Sequence, residues 1–337
     1  MNARALGALV LLAAIWGASF LFIRVAAPVL GPFPLMAGRV LIAAIALGAI
    51  AAARRAPVTL RPFAPRLLVL GLVHAAVPFA LIAAAELRVT ASMAALLIAT
   101  QPLFAALIGS VWFGEPIAGR RAVGLALGLV GVALVTGWSP VGGGAPVTLA
   151  VAATLLAALC YAAGGIYAKR RMADAPVWTL ALGQQVAALA WLALPALWAL
   201  PRATITRDAL LALLGLALLS TAIAYLLFFR LIADVGPVKA FTVTYLIPVF
   251  GVVWGAVVLG EQLTPAMIAG LACILPGMVL VNTSPDPASP RASAARYDVA
   301  GLRARTNALT IRPSTCGAIS SASKPASARN TRASLAE

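Results

Sequence analysis

The chain has 337 residues, 63% of them hydrophobic, with a mean hydropathy of +1.02. A soluble domain is about 45–50% apolar, so this composition excludes one and describes an integral membrane protein. The formal net charge of +16 would suggest nucleic acid in a soluble chain, but here eight of the 25 Lys and Arg lie beyond residue 283 and the rest sit mainly in short loops. They read as topology signals, with no nucleic-acid partner.

A span needs about 20 apolar residues, and ten stretches qualify: 5–26, 34–53, 67–86, 91–112, 120–137, 147–168, 177–200, 209–232, 238–259 and 265–282. The first is longer than a signal-peptide core, so it is expected to be retained despite Val25-Ala26-Ala27, which resembles a cleavage site. Trp112, Trp138, Trp178 and Trp198 lie near span ends, where interfacial anchors belong. With the N-terminus in the cytoplasm, loops after even-numbered spans carry Arg54, Arg55, Arg61, Arg66, Arg120, Arg121, Lys169, Arg170, Arg171 and Lys239. Loops after odd-numbered spans carry only Arg88, Arg202 and Arg207. Both termini are therefore expected inside, in a multi-pass protein of the cytoplasmic (inner) membrane. From residue 283 the composition turns to Ser, Pro, Ala and Arg without periodicity, which predicts a disordered, basic cytoplasmic tail over 283–337.

One stretch occurs twice. At a constant shift of 146, Pro102 recurs as Pro248, Phe104 as Phe250, Gly109 as Gly255, Gly114-Glu115 as Gly260-Glu261, Gly124 as Gly270 and Gly131 as Gly277. Earlier spans follow at shifts of 145 or 146: Trp16 with Tyr161, Arg24 with Lys169, Arg39 with Gln184 and Phe79 with Tyr225. The fold class expected is an all-α membrane protein of ten transmembrane helices in two repeats, 5–137 and 147–282. Five spans per repeat is an odd number, so the second repeat must cross the membrane in the opposite sense. Transporters with inverted repeats place a substrate site between the halves.

Mid-span Pro102 and Pro248 are expected to kink their helices and act as hinges, although a packing kink is the plainer reading. Gly124, Gly128 and Gly131 share a helix face and predict a close-packed seam. Glu115 and Glu261 sit at helix starts, where acids complement the helix dipole, and are expected to face opposite membrane surfaces. Ionisable groups in spans are expensive and functional by default: Arg24 and Arg39, which could snorkel; His74, the lone histidine; and Glu86. Trp16, Ser19, Phe20, Arg39, His74, Phe79, Gln101, Tyr161, Gln184, Tyr225, Thr244 and Tyr245 are the candidate cavity-lining, substrate-binding residues, with core packing as the alternative for the aromatics. The three cysteines, Cys160, Cys273 and Cys316, form no disulfide framework. No P-loop, H-E-x-x-H or G-x-S-x-G motif is present. No catalytic residue, cofactor or metal site is therefore expected.

The opening Leu11-Leu12-Ala13-Ala14-Ile15-Trp16-Gly17-Ala18-Ser19-Phe20, together with the duplicated proline and Gly-Glu pattern, resembles the drug/metabolite transporter superfamily. More narrowly, it is similar to the EamA-type exporters over residues 5–282. The second EamA-like repeat has Tyr161 where the first has Trp16. The resemblance implies transport of a small metabolite or drug, often outward, through a cavity between the halves, and the inverted duplication with its paired kinks points to an exporter working by alternating access. A translocase of lipid or lipid-linked sugar is the rival reading. The partners implied are a small-molecule substrate and membrane lipids, and a homodimer is left open.

Overall fold

A computed structural model describes residues 3–117, 119–137 and 144–283. Trp138, Cys316 and the expected tail from residue 284 onward lie outside them. The described residues form ten apolar helices: α1 (Ala3–Leu30), α2 (Pro32–Ala53), α3 (Arg61–Ala85), α4 (Ala91–Phe113), α5 (Arg120–Gly137), α6 (Ala145–Arg171), α7 (Val177–Ala199), α8 (Arg207–Val235), α9 (Val243–Leu259) and α10 (Pro265–Asn282). Three of these helices begin with a side-chain cap. Thr90, Thr206 and Thr264 each accept a hydrogen bond from the amide three residues on, satisfying a donor that the helix itself leaves open.

The helix pairs obey a twofold relation that exchanges the halves. The contact of α1 with α9 is matched by that of α4 with α6, and that of α1 with α8 by α3 with α6; α2–α7 and α5–α10 are each their own image. The α5–α10 seam shows the relation atom by atom. A Cβ on Gly124 would lie 2.8 Å from the Gly277 carbonyl oxygen, and one on Gly277 would lie 2.8 Å from the Gly124 carbonyl oxygen. Gly131 and Gly270 repeat this at 2.9 Å in both directions. Because the lower-numbered glycine meets the higher-numbered partner, the two helices run antiparallel. Small residues let their backbones touch, which is how helices associate when lipid removes the hydrophobic drive.

The paired turns agree as well. Gly114 (φ 65, ψ 20) and Gly260 (φ 65, ψ 24) end α4 and α9 in the left-handed region, which glycine enters without steric cost. The next amide folds back in both: Glu115 N–H donates to the Gly109 carbonyl at 3.2 Å, and Glu261 N–H to the Gly255 carbonyl at 3.0 Å.

Two expectations need correction. Pro102 does not bend a continuous helix. α4 stops at Ile98 and restarts at Gln101, with Pro102 in the first turn of the new segment, where its missing N–H costs nothing. Pro248 does lie inside a helix, α9, whose break comes earlier, at Phe241 and Thr242, after a short helix Pro237–Ala240. The repeats thus interrupt the corresponding span at different places. Several span ends also move: α3 begins at Arg61 rather than 67 because a 3-10 turn, Arg61–Phe63, leads into it.

Candidate functional site

α3 and α8 occupy corresponding places in the two halves, and both contain a π-helical turn, Leu72–Ala76 and Gly215–Ile223. Such widened turns concentrate at functional sites, because they free backbone groups and re-aim side chains. Here the first carries His74 and the second Thr221. The Thr221 hydroxyl donates to the Leu216 carbonyl at 2.9 Å and accepts from Arg39 Nε at 3.0 Å.

Arg39 is the centre of a polar cluster. It is 7% exposed, so it does not snorkel as the sequence allowed. Surrounding helices hold it within the bundle rather than at a lipid-facing surface. Its guanidinium carbon lies 3.9 Å from the Phe79 ring centroid, and the Tyr161 and Tyr225 hydroxyls are its electrostatic neighbours. Tyr161 packs edge-on against both His74 (centroids 5.5 Å apart) and Phe79 (6.3 Å). Gln184 donates to the Tyr225 hydroxyl at 3.2 Å and lies beside His74. Six of the twelve candidates, Arg39, His74, Phe79, Tyr161, Gln184 and Tyr225, therefore converge from α2, α3, α6, α7 and α8. Arg39 with Gln184 and Phe79 with Tyr225 are counterparts in the duplication, so each half gives the same two positions to one cluster.

The other six make different contacts. Trp16 packs on Phe228 at 5.2 Å in a separate apolar group. Ser19 and Phe20 are buried on α1, and Phe20 approaches Gly251 of α9. Gln101 is half-buried at the restart of α4. The Thr244 hydroxyl donates to the Phe241 carbonyl in the turn just before α9, 2.8 Å away. Tyr245 packs half-buried on the core. Two cluster members were not anticipated: Thr221, four residues before Tyr225 and so on the same helix face, and Gln185, fully buried beside Tyr225. An open apolar groove of about 500 Å³, lined by Leu134, Thr264, Pro265, Ala266 and Ala269, lies at α5 and α10. It holds no charged group.

No carboxylate pairs with Arg39 among the described residues. Glu115 binds Arg121 at 2.9 Å, Asp174 binds Arg66 at 3.3 Å, and Asp234 sits 4.0 Å from Arg230. Glu261 is engaged by α4, accepting from the Ala91 and Ser92 amides at 2.7 and 2.9 Å and from the Ser92 hydroxyl at 2.6 Å. A buried cation without a counter-ion is costly.

The two ends of the bundle differ. At the Glu261 end α9 is pressed on the first segment of α4: a Cβ on Gly251 would meet Ala95 Cβ at 2.4 Å, and one on Gly255 would meet Ser92 Oγ at 2.2 Å. Ala95 is 1% exposed, whereas its counterpart at the Glu115 end, Phe241, is 56% exposed. One end is sealed between the repeats where the equivalent contact at the other is not.

An adjacent glycine pair tests how tightly the cluster is held. A Cβ on Gly164 would fall 2.5 Å from His74 Cβ, while one on Gly165 meets nothing within 4 Å. Gly164→Ala should displace His74 and lower thermal stability by ~1–3 kcal/mol, the range for overpacking. Gly165→Ala should be neutral or slightly stabilising. Melting curves in detergent compare them directly.

These features define an α-helical membrane protein made of two inverted copies of one five-helix unit, with a polar cluster enclosed by both. The model of the EamA-like transporter family matches residues 4–137 and again 148–283. The chain belongs to that family and is a transporter, not an enzyme. It is similar to a probable amino-acid metabolite efflux pump of Salmonella typhimurium, 28% identical, the match covering 80% of this chain and 92% of that protein. A probable terminal-alkyne amino-acid exporter of Streptantibioticus cattleyicolor is 30% identical, with 83% and 93% covered. A solved structure shares the fold at a TM-score of 0.59 and 20% identity, over 83% of this chain and 96% of that one.

Proposed function

We propose that the protein exports a small metabolite bearing a carboxylate or similar anionic group, by alternating access between its two repeats. The observation that carries this reading is Arg39, a guanidinium enclosed by the bundle with no acidic partner among the described residues. Its planar donor fork suits a carboxylate. Phe79, Tyr161 and Tyr225 offer faces and edges for an apolar or aromatic portion of the cargo, and Gln184 and Gln185 offer amides for its polar groups. The relatives named as amino-acid metabolite and amino-acid exporters support a cargo of that chemistry.

The sides follow from the basic loops. The termini and the Glu115 turn face the cytoplasm, and the Glu261 turn faces outward. The form described is then closed outward, with α9 against α4, and approached from inside. Opening the outer contact while closing the inner one would carry the cargo across. Impermeant thiol reagents on intact cells check the sides. Cysteines at Leu263 and Leu87 should label from outside and one at Pro116 only from inside; labelling of Leu263 and Pro116 from the same side refutes the inversion.

The central test is counterflow in proteoliposomes with a panel of amino acids, their N-acyl and aromatic derivatives, and matched amides lacking the carboxylate. Uptake of carboxylates and not of their amides is expected. Equal movement of both, or movement of phospholipid instead, overturns the reading.

A further inference from the structure

We propose that Glu86 binds a proton, and that this proton latches the Glu261 end of the bundle shut. Glu86 follows α3 directly, in the short turn before α4. It is 0% exposed, and neither carboxylate oxygen has a hydrogen-bond partner. Its charged neighbours are Glu261 from the α9–α10 turn and Arg24 from α1; Arg88, on its own turn, is exposed. Arg24 Nη1 donates to the main-chain carbonyl of Glu86, so this contact leaves the carboxyl itself bare.

The two acids are not equivalent. Glu261 accepts three hydrogen bonds from Ala91 and Ser92, whereas neither Glu86 oxygen accepts one. Beside Glu261, and without donors of its own, Glu86 is held better as the neutral acid. A charge on the buried Glu86 would oppose that of the partly buried Glu261 and is only partly offset by Arg24, and one proton on Glu86 removes the conflict. Burial first, then the Glu261 charge, push the Glu86 carboxyl well above the ordinary carboxylate range, with Arg24 pulling it partly back.

The position makes this protonation consequential. Glu261 belongs to the second repeat and binds the start of α4 in the first, where Ala95 and Gly251 also meet. Parting α9 from α4 would break those hydrogen bonds and admit water to Glu86, returning its carboxyl toward the free-glutamate value of about 4.3. The closed form therefore binds the proton more tightly than the open one. A group whose pKa is raised in one state stabilises that state at low pH and loses the effect as pH rises through the raised value. Acid holds this end closed and alkali releases it.

The test needs no cargo, so its failure is separable from failure of the carboxylate reading. Leu87 and Leu263, both 40% exposed on the turns flanking the latch, are replaced by cysteines in a background lacking Cys160, Cys273 and Cys316. They are then spin-labelled, and their separation is measured in lipid nanodiscs by pulsed electron resonance from about pH 6 to about pH 9, a range over which an ordinary glutamate does not titrate. The expected result is one short distance at the acid end and a longer population growing in as pH rises. Glu86→Gln, neutral and nearly isosteric, should keep the short distance throughout. In infrared spectra, the carbonyl stretch of a protonated carboxyl should be present in the wild type at the acid end and lost in Glu86→Gln. A distance that does not change with pH, one that titrates equally in the variant, or absence of that band overturns the proposal.

Discussion

Arg39→Gln should reduce transport by two orders of magnitude or more while leaving the protein as stable as before, or more so. The guanidinium sits against Thr221 and the Phe79 ring with no acid to neutralise it. Each charge-assisted hydrogen bond to an anion is worth ~1.5–3 kcal/mol, so a cargo held by two of them loses about 100-fold or more in affinity. Glutamine can still donate to Thr221, and removing a buried, unpaired charge relieves a desolvation cost. Arg39→Lys keeps the charge but not the planar fork and should fall between the two. The check is KM and turnover in proteoliposomes beside a melting curve on the same preparations. Falls in activity and stability together would make Arg39 a structural residue, and unchanged transport would remove it from the site.

The second large effect is expected at the α5–α10 seam. A Cβ on Gly277 would lie 2.8 Å from the Gly124 carbonyl oxygen and 3.1 Å from the Gly128 nitrogen, both backbone atoms. No rotamer change relieves such contacts, so the helices must separate. Gly277→Ala should therefore cost at least the ~1–3 kcal/mol typical of overpacking. Gly277→Val should prevent accumulation of folded protein. Gly7→Ala is the control, because a Cβ there meets nothing within 4 Å. Yield of monodisperse protein in detergent and its thermal midpoint measure the difference; a Gly277→Val protein that behaved like wild type would mean that the seam does not hold the halves.

Much of the architecture could be read directly from the residues. Lipid demands long apolar helices, so α10 begins and ends where the hydropathy does, and the prolines, glycines and acids that recur at one shift reveal the duplication. The glycine spacing of α5 likewise announced a close face. The site was harder to read. Position in a repeat cannot distinguish residues that face each other from those that face another helix. Trp16 and Tyr161 are counterparts, yet only Tyr161 joins Arg39, because α1 packs mainly on α8 and α9 while α6 packs on α3. The burial of Arg39 was hidden for the same reason, since a cation near a span end looks free to snorkel until α3, α6, α7 and α8 are seen around it. Thr221 needed knowledge of the π turn, which turns its hydroxyl toward both Leu216 and Arg39. Glu86 and Glu261 meet only through the packing of opposite halves, and no local pattern in either stretch signals the other.

The reciprocal glycine contacts have an ancestral reading. Gly124 and Gly131 face Gly277 and Gly270, and these are the same two residues seen in the other copy. A five-helix unit thus owns both sides of its own adhesive surface. Produced alone, it would find its complement in a sister molecule inserted upside down, and joining the two in one gene fixes that pairing and frees the copies to diverge, as Trp16 and Tyr161 have done.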